Sequence, residues 1–405
     1  MFIREGNILD ILVIAPCRIT SNASAGSETI NMYIKYLSYF GHTVDVIALT
    51  EGKYRKNGIT YHALGESYIG ERRIDKIVKG AGWLFWPQNK YLYKTNRNFR
   101  STLRRMMKKM KKQGYSPDIV ILEMASILLL FRLVRKIFPT ALLSADVHDI
   151  AYMGSERRAK LEQSRFRGLI RKRYIKYARR NEVRALEGVD LITPHNPDNI
   201  DLLKENEALR RKRYFHLVPY YEDKFEHNDK EYTYDILFYG LMRRFDNYMS
   251  AEWFIDSVMP KLPPQFRLII MGGNPPKRLY DRASEKIVIT GFVDEATVKY
   301  YFENSFCMVV PLLTGSGIKT KVLAALSAGL PVLTNRIGIE GIPATPGRDY
   351  IHCESADDYI EAFCGLKGEE YQRLCKNSRV LMNDAFNKER CAKQYNRILE
   401  SLCRQ

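Results

Sequence analysis

The sequence predicts an α/β protein of two Rossmann-like domains that face each other across an inter-domain cleft. Two series of short apolar runs, one before Pro219 and one after it, alternate with helical stretches. This alternation is typical of parallel sheets covered by helices. The chain has 405 residues, which suits two domains because a single domain has about 150 residues as a soft prior. Ligands bind such sheets at the carboxyl ends of the strands, so we expect the functional residues there.

The first series begins with one complete strand–helix–strand unit. Residues 11–15, with the sequence ILVIA, indicate a buried strand, and a loop of small polar residues follows at 20–27. Apolar residues at helical spacing predict a helix at 28–40, Gly41 ends it, and a strand is predicted at 44–49. This order is typical of a βαβ unit with parallel strands. Three more strands are predicted in this half, at 118–122, 141–144 and 190–193.

The second series defines the second domain. Its predicted strands are 235–239, 266–271, 287–290, 307–311 and 331–334, and the helical stretches between them include 251–261 and 321–328. A polar, acidic stretch at 219–232 indicates the junction. We therefore predict a first domain at 1–220, a second at 221–385, and a C-terminal helix at 386–405 that packs back toward the first domain.

Composition excludes several classes of protein. Seven cysteines are scattered without a C-x-x-C pair, so neither a disulfide framework nor a zinc site is predicted. The opening residues do not have the regions of a signal peptide. No run approaches the ~20 apolar residues that a membrane-spanning helix needs. We expect a cytoplasmic protein that is peripheral at the inner face of a membrane.

The net charge of +18 is concentrated in two segments. Residues 71–115 carry 14 Lys/Arg and 2 acids, and residues 155–184 carry 12 Lys/Arg and 3 acids, so the rest of the chain is slightly acidic. Aromatic and cationic side chains together suit an anionic membrane surface. The alternative is a solvated helix face beside core tryptophans. Charge alone would also fit nucleic acid, but no nucleic-acid-binding motif is present, so no specific nucleic-acid partner is expected. The predicted membrane patch comprises Trp83, Phe85, Trp86, Arg104 and Arg105.

A glycine-containing loop follows the predicted strand 307–311. Gly315 and Gly317 lie just before a helix that starts near Thr320. Small residues let backbone N–H groups approach a ligand, and a helix N-terminus favours negative charge. With Lys319 and Lys321, the loop is predicted to hold a diphosphate, although it does not have the Walker pattern. A simple turn is the alternative.

Polar residues also follow the predicted strand 141–144. His148 and Asp149 come after Asp146 at the carboxyl end of this strand, which directs them toward the cleft. The alternative is a loop histidine paired with one of the two aspartates. His195 follows strand 190–193 and is open between a structural and a functional role, whereas His42 is interpreted as structural.

The loop before the first helix is a second candidate for binding phosphate. Its small polar residues precede a predicted helix N-terminus, which suits an acceptor phosphate or a diphosphate. A plain βα turn is the alternative. The candidate residues are Ser24, Gly26 and Ser27.

Residues 238–342 resemble bacterial glycosyltransferases of the GT-B fold, in particular retaining family four (glycosyl transferases group 1). The first half matches more loosely, through Pro16, Gly26 and residues 41–44. The resemblance implies a nucleotide-sugar donor held by the second domain and an acceptor held by the first. The matching segments are 238–242, 251–260, 271–274, 290–293, 310–312, 315–323, 328–332 and 340–342.

The resemblance also implies roles for individual residues. His148, with Asp149, would be catalytic by hydrogen bonding to a donor hydroxyl or assisting charge development at the anomeric carbon. No tightly bound cofactor and no metal are expected, because backbone dipoles and cations neutralise the leaving diphosphate. Retention through front-face attack is expected. The implied donor-binding residues are Gly240, Arg243, Arg244, Gly315, Ser316, Gly317, Ile318, Lys319, Lys321 and Glu340.

Two departures from the family pattern bear on the donor. The two glutamates of the family's E-x7-E pattern align with Ser316 and Ala324. The usual Arg and Lys align with Leu241 and Asn247, so nearby cations would replace them. This indicates a rearranged donor site.

The predicted function is transfer of a sugar from a nucleotide-sugar to a glycan or lipid-linked acceptor in bacterial surface polysaccharide synthesis. One alternative is a nucleotide-sugar epimerase of the same fold. Another is a catalytically inactive relative that binds an anionic membrane or nucleic acid.

Overall fold

The computed structural model describes residues 8–19, 25–50, 52–64, 97–160, 165–219, 221, 224–226 and 232–404. The chain divides into two compact units. The first unit ends at Pro219 and also includes the C-terminal residues from Glu389, and the second extends from Tyr220 to Lys388. Within the described ranges, none of the helices combines the length and apolar character needed to cross a bilayer.

The first unit contains an eight-stranded sheet with the order β3-β4-β2-β1-β5-β6-β7-β8. All its pairings are parallel except that of β3 with β4. The predicted strands are confirmed, and β3, β4 and β8 are additional. The strands are β1 Asp10–Ile14, β2 Thr43–Ala48, β3 Tyr54–Lys56, β4 Ile59–Ala63, β5 Ile119–Glu123, β6 Leu142–Val147, β7 Leu191–Pro194 and β8 Arg213–Tyr214.

Helices cover this sheet, and their apolar faces can be recognised in the sequence from the helical spacing of apolar residues. In helix Arg97–Lys112, residues at helical spacing are buried, namely Phe99, Leu103, Met107 and Met110, so the opposite face is left to its cations. The other helices of the unit are Ala25–Tyr39, Phe131–Ile137, Ala151–Lys160, Arg165–Glu187, Asp198–Lys204 and the C-terminal Lys388–Cys403, with a 3₁₀ turn at Ala125–Leu130.

The second unit contains a six-stranded parallel sheet with the order β11-β10-β9-β12-β13-β14. The strands predicted in this half are confirmed, and the two-residue β14 is additional. The strands are β9 Asp235–Tyr239, β10 Arg267–Met271, β11 Ile287–Gly291, β12 Cys307–Val310, β13 Val332–Thr334 and β14 Ile351–His352.

Helices of the second unit enclose an apolar core around Phe238, Phe254 and Tyr359, which are at most 1% exposed. The predicted helix near 321–328 is confirmed as Thr320–Ala328, and Gly329 ends it with φ 70° in the left-handed region that glycine favours. The remaining helices are Phe245–Ser257, Lys277–Tyr280, Glu295–Asn304, Ala356–Gly365 and Gly368–Ala385, with a 3₁₀ turn at Met259–Lys261.

Candidate functional site

The carboxyl edge of the second sheet has its topological switch point between β9 and β12. Strand β9 pairs with β10 on one side and with β12 on the other. The connection after β9 runs to β10 and the connection after β12 runs to β13, so the two leave in opposite directions. The ends of β9 and β12 therefore form the opening in which α/β sheets bind ligands. The segments at this opening are residues 240–244 after β9 and residues 311–319 after β12.

Two glycines allow the backbone to approach closely at this edge. A Cβ atom on Gly272 would lie 1.8 Å from the carbonyl oxygen of Gly240, so only glycine fits. A Cβ atom on Gly240 would lie 2.9 Å from Nδ2 of Asn247. That amide donates a hydrogen bond to the Leu241 carbonyl at 3.0 Å. Gly240, predicted as donor-binding, is thus required for the packing of this edge.

Side chains of neighbouring elements fix both sides of the segment after β12, which we call the phosphate loop (residues 311–319). Asn335 donates from Nδ2 to the Leu312 carbonyl at 2.8 Å, and the Leu313 N–H donates to Ser250 Oγ at 3.1 Å. Thr314 is fully buried, and its Oγ1 has no hydrogen-bond partner among the described residues. A buried hydroxyl of this kind is costly unless a ligand or water satisfies it.

The phosphate loop contains Gly315, Ser316, Gly317, Ile318 and Lys319. Two of them, Gly315 and Gly317, have φ values of 140° and 75°, where a side chain would be strained. Lys319 Nζ donates to the Gly317 carbonyl and lies 3.5 Å from Glu340 Oε2. The structure therefore brings the predicted residues Lys319 and Glu340 together as an ion pair at the loop.

Lys321 lies in the first turn of helix Thr320–Ala328. Its Nζ donates to Asn247 Oδ1 at 2.9 Å and lies 5.4 Å from the ring centroid of Phe238. Burial lowers the pKa of Lys321 to about 7, against the opposing effect of nearby Asp246. An anion bound here would favour the charged ammonium and would itself be stabilised by it.

The predicted arginines lie at the exposed side of this edge. Arg243 and Arg244 are both exposed, and Arg244 Nη2 lies 2.8 Å from Asp246 Oδ2 at the start of helix Phe245–Ser257. Arg244 is close enough to Lys321 to contribute to its lowered pKa. The predicted donor residues thus adjoin one opening, but the two guanidinium groups lie in solvent.

Polar side chains of the first unit meet at the ends of three adjacent strands, β5, β6 and β7. Glu123 ends β5 and pairs in register with Asp146 on β6. His148 follows β6, and His195 follows β7. We call Glu123, Asp146, His148 and His195 the carboxylate–histidine cluster. Glu123 was not predicted from the sequence, although an acid at the end of an apolar strand is a usable signal.

The members of this cluster are in close contact. His148 Nε2 lies 3.3 Å from Glu123 Oε2 and 3.9 Å from Asp146 Oδ2. His195 Nε2 lies 2.7 Å from Asp146 Oδ1, and the two imidazole centroids are 4.2 Å apart. His148 therefore contacts Glu123 and lies near Asp146, which is one of the two aspartates in the structural alternative.

Burial controls the electrostatics of the carboxylate–histidine cluster. It raises the pKa of Glu123 to about 8, with Asp146 adding repulsion and His148 opposing the shift. Burial also raises the pKa of Asp146 and lowers that of His195 to about 3. At neutral pH His195 is therefore neutral and Glu123 largely protonated, so these buried carboxyls hold a proton beside His148.

Helix Ala25–Tyr39 begins beside His148. A Cβ atom on Gly26 would lie 3.3 Å from Met124 Cε and 3.6 Å from His148 Nδ1. The imidazole therefore turns Nε2 to the carboxyls and Nδ1 to Gly26. Ser27 is buried in the same turn, and Asp149 is partly exposed next to His148. The predicted residue Ser24 lies outside the described residues.

Asp146, His148 and His195 offer possible metal ligands within 4.8 Å of one another. On a tetrahedral zinc with Zn–N bonds of about 2.0–2.1 Å, two imidazole centroids would lie about 5 Å apart. The observed centroids lie 4.2 Å apart with 35° between the ring planes, which is closer than that geometry requires. Among the described residues, His148 Nε2 forms a hydrogen bond with Glu123, whereas His195 Nε2 and Asp146 Oδ1 have no hydrogen-bond partner.

The predicted membrane patch is described only in part. Trp83, Phe85 and Trp86 lie outside the described residues. Arg104 and Arg105 are exposed on helix Arg97–Lys112, which has no acidic residue. The other exposed cations of this helix are Arg100, Lys108, Lys109, Lys111 and Lys112.

Comparisons with known proteins agree with this architecture. Residues 233–367 match the family model of glycosyl transferases group 1. No curated protein matches the sequence. Sucrose-phosphate synthase from Thermosynechococcus elongatus is similar in structure, with a TM-score of 0.72 and 15% identity over 97% of this chain and 98% of that chain.

Two further structures are similar over nearly the whole chain. HepE of Anabaena in complex with UDP has a TM-score of 0.67 and 10% identity, covering 97% of this chain and 100% of that chain. The catalytic domain of starch synthase IV from Arabidopsis thaliana, bound to ADP and acarbose, has a TM-score of 0.65 and 11% identity, covering 98% and 100%. These likenesses confirm the predicted GT-B fold.

Proposed function

We propose that this chain, a glycosyltransferase whose residues 233–367 match the family model of glycosyl transferases group 1, transfers a sugar with retention from a nucleotide-sugar to a glycan or a lipid-linked acceptor. The observation that carries this proposal is the phosphate loop. It combines a fixed backbone, a buried Thr314 hydroxyl that no described residue satisfies, and the partly buried amino group of Lys321.

The donor diphosphate occupies the phosphate loop. Departure of a nucleoside diphosphate accumulates negative charge on its oxygens, and fixed dipoles and cations lower the energy of that transition state. The N-terminus of helix Thr320–Ala328 supplies backbone N–H groups. Lys319 and Lys321 supply charge, and Thr314 Oγ1 supplies one more hydrogen bond. HepE bound to UDP-glucose is one structural neighbour that holds such a donor.

His148 and Asp149 act on the transferring sugar. A side-chain nitrogen on a ring fixed by buried carboxyls is well oriented for a hydrogen bond to a sugar hydroxyl, and an oriented dipole stabilises charge at the anomeric carbon. A carboxylate nucleophile needs access to that carbon, whereas Glu123 and Asp146 are only 3% and 1% exposed. The proposal is therefore front-face retention, which needs no carboxylate nucleophile and in which the donor phosphate receives the acceptor proton.

A lipid-linked acceptor accounts for the basic helix Arg97–Lys112. Its exposed cations without a neighbouring acid in the helix suit anionic headgroups, each worth about 1 kcal/mol near such a surface. We therefore place the enzyme in the cytoplasm, peripheral at the inner face of a bacterial membrane, in surface polysaccharide synthesis.

A nucleotide-sugar panel tests the proposal. The full-length protein is incubated with UDP-, ADP-, GDP- and dTDP-sugars and a lipid-linked acceptor extract, and products are detected by mass spectrometry. Thermal unfolding is measured with the corresponding diphosphates; a ligand at a hundredfold excess over its Kd stabilises by about 2.7 kcal/mol. If no nucleotide raises the melting temperature while DNA or anionic vesicles do, the hypothesis that this chain is a nucleotide-sugar-dependent enzyme is wrong.

A further inference from the structure

Asn247 lies between the two segments that border the opening of the second sheet. It belongs to the first turn of helix Phe245–Ser257, which follows the segment 240–244 after β9, and it is 7% exposed. Its Nδ2 donates to the Leu241 carbonyl at 3.0 Å, and its Oδ1 accepts from Lys321 Nζ at 2.9 Å. One amide group therefore connects the chain after β9 to the helix that follows the phosphate loop.

The chemistry of its two neighbours fixes the orientation of this amide. A carbonyl oxygen only accepts hydrogen bonds, and an ammonium only donates them. The amide nitrogen of Asn247 must therefore face Leu241, and the amide oxygen must face Lys321. A carboxylate at this position could not donate to the carbonyl, and an aliphatic side chain could form neither hydrogen bond. The short amide side chain thus suits both neighbours at once.

Close packing restricts the Asn247 side chain further. A Cβ atom on Gly240 would lie 2.9 Å from Nδ2 and 3.2 Å from Cγ of Asn247, so the glycine leaves room for the amide. The Asn247 N–H donates to the Arg244 carbonyl at 3.0 Å, which holds the start of the helix against the segment after β9. The amide is therefore held in one place, and the ammonium that donates to it is restricted with it.

A second residue of the same helix supports the phosphate loop. Ser250 is fully buried, and its Oγ donates to the Asp246 carbonyl at 2.7 Å and accepts from the Leu313 N–H at 3.1 Å. Asn247 and Ser250 are three positions apart, so they lie on one face of the helix. This face therefore contacts both borders of the opening.

The amide oxygen of Asn247 is a neutral acceptor for a group that has charges of both signs nearby. Burial lowers the pKa of Lys321 to about 7, Asp246 favours its charged form, and Arg244 and Lys319 oppose it. A hydrogen bond to the charged form favours that form. Asn247 therefore helps to keep the ammonium charged without neutralising it, which leaves the positive charge available to a bound diphosphate.

We propose that Asn247 is a positioning residue, whose amide holds the Lys321 ammonium at the phosphate loop and fixes the segment after β9 beside it. This inference rests on the proposed function, because Lys321 is the group presented to the donor diphosphate. Asn247 itself does not touch the reacting atoms. It acts through the lysine and through the backbone of the opening.

The test compares two full-length variants, Asn247→Leu and Asn247→Asp, whose side chains are close to asparagine in size. Leucine removes both hydrogen bonds, so Kd for UDP or ADP in calorimetric titration should rise about tenfold. The pKa of Lys321, followed through its ¹³Cε signal and assigned with Lys321→Met, should fall in Asn247→Leu and rise in Asn247→Asp. Loss of packing alone would not shift it in opposite directions. Asn383→Leu is the matched control, because Asn383 is exposed in the same unit, and it should change neither readout.

The outcomes separate this inference from the function on which it rests. An unchanged Kd or an unchanged Lys321 pKa in Asn247→Leu overturns the positioning role. If the wild type binds no nucleoside diphosphate but the Lys321 pKa shifts in opposite directions in the two variants, the proposed function fails and the positioning of Lys321 stands. If Asn247→Leu does not fold, Asn247→Asp carries the test alone: an unchanged Lys321 pKa in that variant would equally overturn the inference.

Discussion

Replacing Lys321 by methionine should stabilise the protein and weaken its binding of nucleoside diphosphates. Methionine keeps an unbranched apolar chain but removes the ammonium that contacts Asn247. The pKa of Lys321 falls from 10.5 to about 7, which corresponds to about 4–5 kcal/mol against the charged form in the folded state. Replacement of buried charged groups by apolar ones of similar volume is often neutral or stabilises by about 1–4 kcal/mol, so the free energy of unfolding near pH 7 should rise by up to about that amount.

The pH dependence of stability follows from the same shift. Between pH 7 and 10.5 the unfolded chain keeps a proton on Lys321 that the folded chain has lost. The unfolded state thus binds more protons in this window, and stability should rise with pH across it. In Lys321→Met this rise should be smaller. Urea unfolding at pH 7, 8 and 9 measures the difference.

Diphosphate binding should change in the opposite direction to stability. Loss of one charge-assisted hydrogen bond costs about 1.5–3 kcal/mol, so Kd for UDP or ADP should rise about tenfold to a hundredfold. Calorimetric titration measures both affinities. Lys286→Met, at an exposed lysine of the same unit, is the matched control. A Lys321→Met variant that binds diphosphates as tightly as the wild type would refute the assignment of this lysine to the phosphate loop.

Three further predictions concern the packing, the histidine and the basic helix. Gly272→Ala should lower the free energy of unfolding in urea by about 3 kcal/mol or more, because its Cβ would lie 1.8 Å from a backbone oxygen. Gly365→Ala is the control and should leave it unchanged, because its Cβ would meet nothing within 4 Å. His148→Gln should lower kcat by about a hundredfold or more with diphosphate affinity unchanged, and an equal loss of affinity would contradict its role. Charge reversal at Arg104 and Arg105 should weaken sedimentation with anionic vesicles, most strongly at low salt. Replacement of both residues by lysine should not weaken it. Equal binding by both variants would show that these arginines are not part of the membrane-binding surface.

Much of the fold could be predicted because its strands are local apolar runs. Residues 268–270 are fully buried on β10, and such runs bounded by polar residues indicate parallel strands. The hairpin of β3 and β4 was missed although its signal is present. Asn57 and Gly58 separate the two strands with φ values of 51° and 78°, the conformation for which an Asn-Gly turn is favoured. Strands of two residues, such as β14, carry no such pattern.

The two parts of the candidate site differ in how well they could be predicted from the sequence. The phosphate loop is contiguous, so its glycines and lysines could be recognised together. The carboxylate–histidine cluster joins Glu123 to His195 through the register of three strands that are far apart in the chain. Spacing in one sequence does not encode these distant contacts, which depend on tertiary packing.

The discontinuity of the first unit determines when it can be completed during synthesis. The ribosome makes the segment from Tyr220 to Lys388 before it reaches Tyr395. At about 5–20 residues per second, this interval lasts on the order of ten to thirty seconds. Throughout it the first unit is without most of helix Lys388–Cys403, and the second unit has time to fold on its own. Assembly of the nascent chain therefore finishes in the domain that emerged first.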